Sequence, residues 1–452
     1  MKIFKKILSV ILSVVLCFSA VSALAAESGA GSRITSAKTP VSASQANLKW
    51  SIRLGKSYKD APAPPIAVGD TLIVMSGKTL YKMSKETGEI IDTAAMEDTP
   101  SYSYTSPAYA DGVIYCPLDN ATVQAFDYET MTSLWVYHDP LGGQSLTEIV
   151  YDDGFLYTGF WNDEDADANY VCLNAEDEDK TKTNEEKSAV WTYAHKGGFY
   201  WAKCAVIGSR VIFGSDDGTV EADGKSLLIS ADKKSGNIKQ TIEIKGDQRS
   251  GITYYDGRAY FTTKAGLLYS VGVKKGGSLI VSDVKMLSLG GASTSTPVIY
   301  SGRIYVGVQG SGFGKGTLAV IDSANMKKIY SATLGGYPQN TVLLSTAYES
   351  ESRKVYIYST YNASPGGITV LSDAPGQLSE KSEELFVPGG SMANFCICSV
   401  IADDDGTLFY KNDSGYIFAV ENTEKQTTDI SGTIKIIFAA IKKIIAFLKS
   451  IV

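Results

Sequence analysis

The chain has 452 residues, room for one large domain or two or three ordinary ones, and a formal net charge of -7. That acidic balance excludes nucleic acid as a partner, because phosphate recognition needs a basic face. With 27 Tyr and 43 Gly against 13 Pro and 2 His, the composition is that of many short strands and tight turns, an all-β protein.

Residues 1–26 read as a secretory signal: Lys2, Lys5 and Lys6, an apolar core from Ile7 to Val21, and the small-residue site Ala23-Leu24-Ala25. The residues before Cys17 lack the small side chains of a lipoprotein box, which argues against lipidation. Once the signal is removed, Cys116, Cys172, Cys204, Cys396 and Cys398 remain, an odd and irregular set that is no disulfide scaffold. At most one or two of them pair, and Cys396 and Cys398 are expected to point into the core together from a strand. Residues 27–47, rich in Ser, Ala, Gly and Thr, are expected to form a flexible linker. Leu48–Leu54 then alternates around Trp50 as a strand with no partner before it.

From Thr71 a four-strand unit repeats, and its clearest copy runs from Ser106 to Tyr137. There a first segment, Pro107–Ala110, is followed by an Asp111-Gly112 turn, the alternating Val113–Cys116, then Thr122–Asp127 and Leu134–Tyr137. Asp-Gly between alternating apolar runs is a strong hairpin signal. The second strand recurs at Thr71–Met75, Phe155–Thr158, Arg210–Phe213, Arg258–Phe261, Arg303–Val306, Lys354–Ile357 and Thr407–Tyr410, each after a Gly, Asp or Ser turn. Fourth strands are one short of the others, and Leu48–Leu54 is the missing one. A period of about 42 to 54 residues is that of four-stranded propeller blades. The fold is therefore an eight-bladed β-propeller, seven if one weak unit is misread, closed by strand 48–54 and spanning residues 48–422.

In the third unit Asp163, Asp165, Asp167 and Asn169 offer oxygens at alternate positions, as calcium loops do, although Ala168 replaces the bend glycine. An acidic excursion, Glu176 to Glu186, follows before the fourth strand. Beyond residue 422 a linker leads to Ile430–Val452. There Lys435, Lys442, Lys443 and Lys449 share one helical face, and Ile437, Ile441 and Leu448 lie among the apolar residues of the other. This is the pattern of a basic amphipathic helix lying on a membrane surface or a partner.

Lys78–Gly88 (KTLYKMSKETG) and Asp127–Trp135 (DYETMTSLW) resemble the repeat of quinoprotein-like (PQQ-repeat) β-propellers, a likeness that extends over about residues 48 to 422. It implies that Trp50, Trp135 and Trp191 dock blade to blade. The family includes quinoprotein dehydrogenases and non-enzymatic scaffolds such as the propeller lipoprotein of outer-membrane assembly, so activity does not follow from fold. A quinoprotein dehydrogenase would be expected to carry adjacent cysteines, and none occur, which argues against PQQ. Only His138 and His195 are present, and no nucleophile elbow, P-loop or dinucleotide fingerprint is visible.

Binding remains. Loops joining the fourth strand of one blade to the first of the next gather at one channel mouth. They carry Tyr58, Tyr102, Tyr104, Phe199, Tyr200, Trp201, Arg249, Tyr337, Asn394 and Phe395, aromatic residues with an arginine, as a peptide- or glycan-binding face would use. The reading is an exported, non-catalytic scaffold at the cell envelope, binding protein or glycan and tethered by its C-terminal helix. The alternative is an enzyme, a degenerate quinoprotein dehydrogenase or a polysaccharide-active propeller, with carboxylates converging at the mouth.

Overall fold

The computed structural model describes residues 33–102, 104–219 and 224–423. Residues 1–26, read as a secretory signal, and residues 430–452, read as a basic amphipathic helix, lie outside the described residues. Eight antiparallel sheets follow one another along the chain. In the first, strands Ile66–Val68, Thr71–Ser76, Thr79–Ser84 and Ile90–Ala95 run from inner to outer edge. The eighth is completed by Ala46–Arg53, which lies antiparallel to Tyr416–Asn422 with Ala46 opposite Asn422 and Arg53 opposite Tyr416. This is the orphan strand in its expected place, and eight is the blade number.

Each middle strand is buried on both faces because each blade is sandwiched between two others. In the first blade Ile73 and Met75 enter the core shared with the second, whereas Leu72 and Val74 enter the core shared with the eighth. Buried apolar side chains fall into eight clusters, one at each junction of neighbouring blades. Successive side chains of a strand point to opposite faces, so one short alternating run supplies two cores. Among the described residues no helix is long and apolar enough to cross a membrane.

The inner hairpin turns follow from their residues. Asp111-Gly112, Asp153-Gly154, Asp256-Gly257 and Ser301-Gly302 all hold both residues at positive φ, the mirror-image turn that suits the twist of a hairpin. The seventh blade departs from the expected hairpin at Glu351-Ser352, where a one-turn helix, Glu349–Ser352, is closed by Arg353 at φ 60.

Tryptophan docking occurs at all three expected positions. Trp50 Nε1 donates to Lys85 O (3.0 Å), Trp135 Nε1 to Ala175 O (3.3 Å) and Trp191 Nε1 to Lys233 O (3.1 Å), each on the following blade. Where the Trp is missing, other donors reach the next blade. Lys82 Nζ bonds to Tyr128 O (2.9 Å), Gln240 Nε2 to Leu279 O (2.9 Å), Lys285 Nζ to Ala324 O (3.3 Å) and Tyr330 OH to Asp373 Oδ1 (2.8 Å).

Three features differ from expectation. The stretch expected to be linker is packed from Arg33 onward: Ile34–Thr35 lies parallel to Leu343–Ser345 on the inner edge of the seventh blade. Thr39 is fully buried, its hydroxyl 2.6 Å from Tyr358 OH, and Asn422 Nδ2 reaches the Lys38 and Thr39 carbonyls. The acidic excursion is largely exposed, but it is not a bare loop. Its end, Glu185–Lys187, adds a parallel fifth strand to the outer edge of the second blade, and buried Lys187 lies 5.2 Å from the Trp135 ring centre. All five cysteines are buried free thiols, and Cys396 and Cys398 share a core although their segment is extended loop rather than strand.

Candidate functional site

Two sets of loops share the mouth. Those that enter the inner strands were expected there, but the turns between second and third strands open on the same side. Tyr104, before the second blade, lies 5.4 Å from Nζ of Lys411, which belongs to such a turn in the eighth blade. Arg249, before the fifth blade, meets Asp216 and Glu164 from the corresponding turns of the fourth and third.

The aromatic residues form a continuous row. Tyr102 and Tyr104 stack at 6.3 Å, Tyr104 meets the Trp201 edge at 6.0 Å, and Trp201 meets Tyr200 at 4.9 Å. Tyr200 continues to Trp161 at 5.3 Å, and the Arg249 guanidinium lies 4.5 Å from the Tyr200 ring centre, a cation–π contact. Burial pushes the Tyr200 hydroxyl up to about 12 against the opposing pull of Arg249, and burial followed by Asp413 raises Tyr104. Tyr58 and Asn394 join at the eighth-blade turn, where Tyr58 N and Asn394 Nδ2 each donate to Asp413 O at 2.9 Å. Tyr58, Tyr102 and Phe395 are exposed. The backbone holds Tyr58, Tyr102 and Trp201 at φ 64, 48 and 56, a left-handed conformation that costs a non-glycine residue about 1–2 kcal/mol.

Two of the ten candidates sit in the core. Phe199 is fully buried, 5.0 Å from Tyr170 and 5.7 Å from Phe213. Tyr337 is buried, with its hydroxyl 3.3 Å from Thr294 Oγ1. Arg249 is buried too, but it faces carboxylates. Its Nη2 lies 2.6 Å from Asp216 and 3.4 Å from Asp247 and pairs with Glu164. Those three carboxylates are the group among the described residues that could hold a metal ion, and Arg249 stands among them. Burial raises the Asp216 carboxyl well above its usual range despite Arg249, and Asp247 adds to the rise.

The expected calcium ligands do not gather. Asn169 turns its amide to Asp139 at 3.0 and 3.1 Å, and Asp163 accepts from Glu164 N at 2.7 Å. His138 ends its fourth strand between Glu97 (3.3 Å) and Glu186 (3.1 Å), and His195 lies within its strand beside Tyr193.

Inside the mouth, loops of six successive junctions line a recess of about 30 Å³ that opens to solvent, with Tyr104, Glu148, Trp201, Lys203, Thr294 and Asn340 among its walls. Glu148 bonds Lys203 at 3.0 Å, and Arg33 approaches it at 3.9 Å. Burial alone would raise Glu148, but Lys203 and Arg33 outweigh it and hold the carboxyl low. Sequence reasoning missed Trp161, Glu164, Asp216, Lys411 and Asp413 because it followed one set of loops. The propeller's strand order was enough to place the second set.

The family model described as outer membrane protein assembly factor BamB matches residues 19–177. No curated protein sequence matches the chain. Among solved structures, BamB from Moraxella catarrhalis aligns with a TM-score of 0.56 and 14% identity over 83% of this chain and 99% of that one. Quinohemoprotein alcohol dehydrogenase from Comamonas testosteroni aligns with a TM-score of 0.60 and 11% identity, covering 88% and 80%. A europium-containing methanol dehydrogenase gives 0.60 and 10%, covering 84% and 87%. At these identities the structural likenesses concern the fold, and it is shared by an assembly factor and by dehydrogenases. By its repeats and its ring of blades, the chain is an eight-bladed β-propeller, and over residues 19–177 it matches the PQQ-repeat family model.

Proposed function

We propose that the protein is an exported, non-catalytic scaffold that binds a protein or a glycan at its channel mouth and is held at the cell envelope by residues 430–452. The aromatic row from Tyr102 to Trp161 carries this reading, because it joins loops of separate blades and begins at an exposed ring, Tyr102. Exposed aromatic side chains on a rigid frame give contact area at small entropic cost. Arg249 supports the non-catalytic part. It pairs with all three converging carboxylates, so these acids serve an ion cluster rather than standing open to a substrate. The matched family's description as an assembly factor favours a scaffold at the envelope, and the leader-like residues 1–26 favour export.

Two measurements test it. Pull-down from envelope extracts with the parent protein and with Tyr58→Ala/Tyr102→Ala should recover a partner that the double variant loses. Equal recovery removes the mouth from the argument. Co-sedimentation with anionic vesicles should require residues 430–452 and weaken with salt. Binding that persists after their removal refutes the tether.

A further inference from the structure

We propose that the rim opposite the mouth, over the fourth to sixth blades, is a docking surface for an anionic lipid bilayer. The inference rests on the envelope role proposed above and names a second contact and the face that makes it. Third and outer strands are joined on that rim, away from the mouth. There residues 233–237 lead into Ile238–Lys245 of the fourth blade, 274–278 into Leu279–Ser288 of the fifth, and 323–326 into Lys327–Leu334 of the sixth. Lys234, Lys239, Lys274, Lys275, Lys327 and Lys328 are exposed on these neighbouring blades. Among the described residues none of the six has a carboxylate partner, because the nearby acids are engaged elsewhere. Asp232 pairs with Arg210, Asp283 with Arg258, and Asp322 accepts from Ala324 N at 2.9 Å and Asn325 N at 3.0 Å. Asp256 is exposed on an inner turn of the same face, and the lysines outnumber it in a chain of net charge -7.

The three turns form one surface. Gln240 and Leu279 exchange hydrogen bonds of 2.9 and 2.8 Å, and Lys285 Nζ reaches Ala324 O at 3.3 Å. Two aliphatic side chains stand exposed among the lysines. Ile238 opens its strand, and Val281 lies where the ladder passes from Gly272↔Ile280 to Val271↔Val284, so that residues 281–283 bulge outward. At an anionic interface ammonium groups meet phosphates while apolar tips enter the acyl boundary. A nucleic acid or another acidic polymer would use the lysines and leave Ile238 and Val281 in water. A chain with this net charge is repelled as a whole by such an interface, so contact is confined to the face where positive charge is concentrated. The tail leaves from that face. Thr423 N donates to Gln45 O at 2.8 Å, at the end of the eighth blade's third strand, the place that the lysine-bearing turns hold in the fourth to sixth blades. Tail and patch thus reach one surface, and the mouth is turned away from it.

The test is co-sedimentation of the full chain with vesicles of phosphatidylcholine and phosphatidylglycerol in equal parts. Thermal unfolding of every variant establishes that it is folded. Lys274→Gln/Lys275→Gln should weaken binding at least about tenfold, and Ile238→Ser/Val281→Ser several-fold. Lys56→Gln/Lys315→Gln, the same change of charge on the mouth side, should leave it unchanged. Equal losses in the two lysine pairs overturn the patch, since they show a general effect of charge. A loss at Lys274 and Lys275 that soluble polyglutamate reproduces, with none at Ile238 and Val281, overturns the lipid assignment. If removal of residues 430–452 abolishes binding while both patch pairs bind like the parent, the patch is overturned and the tether stands. Binding that survives that removal and still needs Lys274 and Lys275 supports the patch and refutes the tether. If the full chain does not bind these vesicles, both are overturned.

Discussion

A bare glycine under a tryptophan is the smallest unit of this architecture. Gly88 and Gly236 both sit at positive φ, and a Cβ on them would lie 2.9 Å from the Trp50 ring and 2.7 Å from the Trp191 ring. In the second and sixth blades Met131 and Met326 hold the same left-handed bend at φ 54, and the preceding blade docks there through lysine. Gly69 has φ +55 but nothing near its absent side chain. Gly69→Ala should therefore cost only the backbone term, about 1–2 kcal/mol. Gly236→Ala should cost at least about 1 kcal/mol more because the indole must move. Urea denaturation of the two variants checks this, and equal losses would show that the ring does not press on the glycine. Gly88 was legible in sequence because it ends the local repeat Lys78–Gly88. Arg249 was legible only as a loop residue, since Glu164 and Asp216 come to it from the loops of two other blades, and Asp247 alone is its neighbour in sequence. The cluster also has a pH signature. Burial raises Asp216, so its contribution to stability is complete below the ordinary carboxylate range and is lost as pH rises through the raised value. Asp216→Asn, neutral at every pH, should gain on the parent protein between about pH 5 and pH 8. A difference that stays constant across that interval refutes the raised carboxyl.

Among the elements, the strap 33–45 shows where composition misleads. Ser, Ala, Gly and Thr suggest a solvated linker, yet a segment with small side chains can also be laid flat against blades. Its backbone is satisfied there, with Leu344 N donating to Arg33 O and Thr346 N to Thr35 O, both at 2.9 Å. The hydroxyl pair Thr39–Tyr358, fully buried at 2.6 Å, gives a clean probe. Thr39→Val and Tyr358→Phe should each cost about 1–3 kcal/mol by leaving the other hydroxyl unpaired. The double variant should lose much less than their sum. Additive losses would mean that the two hydroxyls do not satisfy each other. The fifth strand Glu185–Lys187 misled for the opposite reason. Its acidic neighbours suggest solvent, but the open edge beside Trp135 offers backbone partners that no sequence pattern within the excursion could reveal.

The whole molecule depends on how its ring is closed. Strand 46–53 comes from one end of the propeller and strand 416–422 from the other, and seven residue pairs join them from Ala46↔Asn422 to Arg53↔Tyr416. Without the first strand, the edge of 416–422 is an open row of donors and acceptors beside buried Phe409, Ile417 and Ala419. Such an edge recruits other chains. A protein beginning at Lys56 should therefore associate or aggregate, as light scattering would show. The same residues in another order should not. Thr423 N already donates to Gln45 O at 2.8 Å, so the two ends lie one tight turn apart. A permutant running from Lys56 to Thr423, then through Asn-Gly into Ala46–Gly55, restores the closing hairpin while omitting the strap. It should be a folded monomer that is less stable than the parent by the contribution of residues 33–45. If the permutant aggregates like the truncated protein, closure depends on the strap rather than on the strand. If the truncated protein stays monomeric, the core shared by the first and eighth blades holds the ring shut without the hairpin.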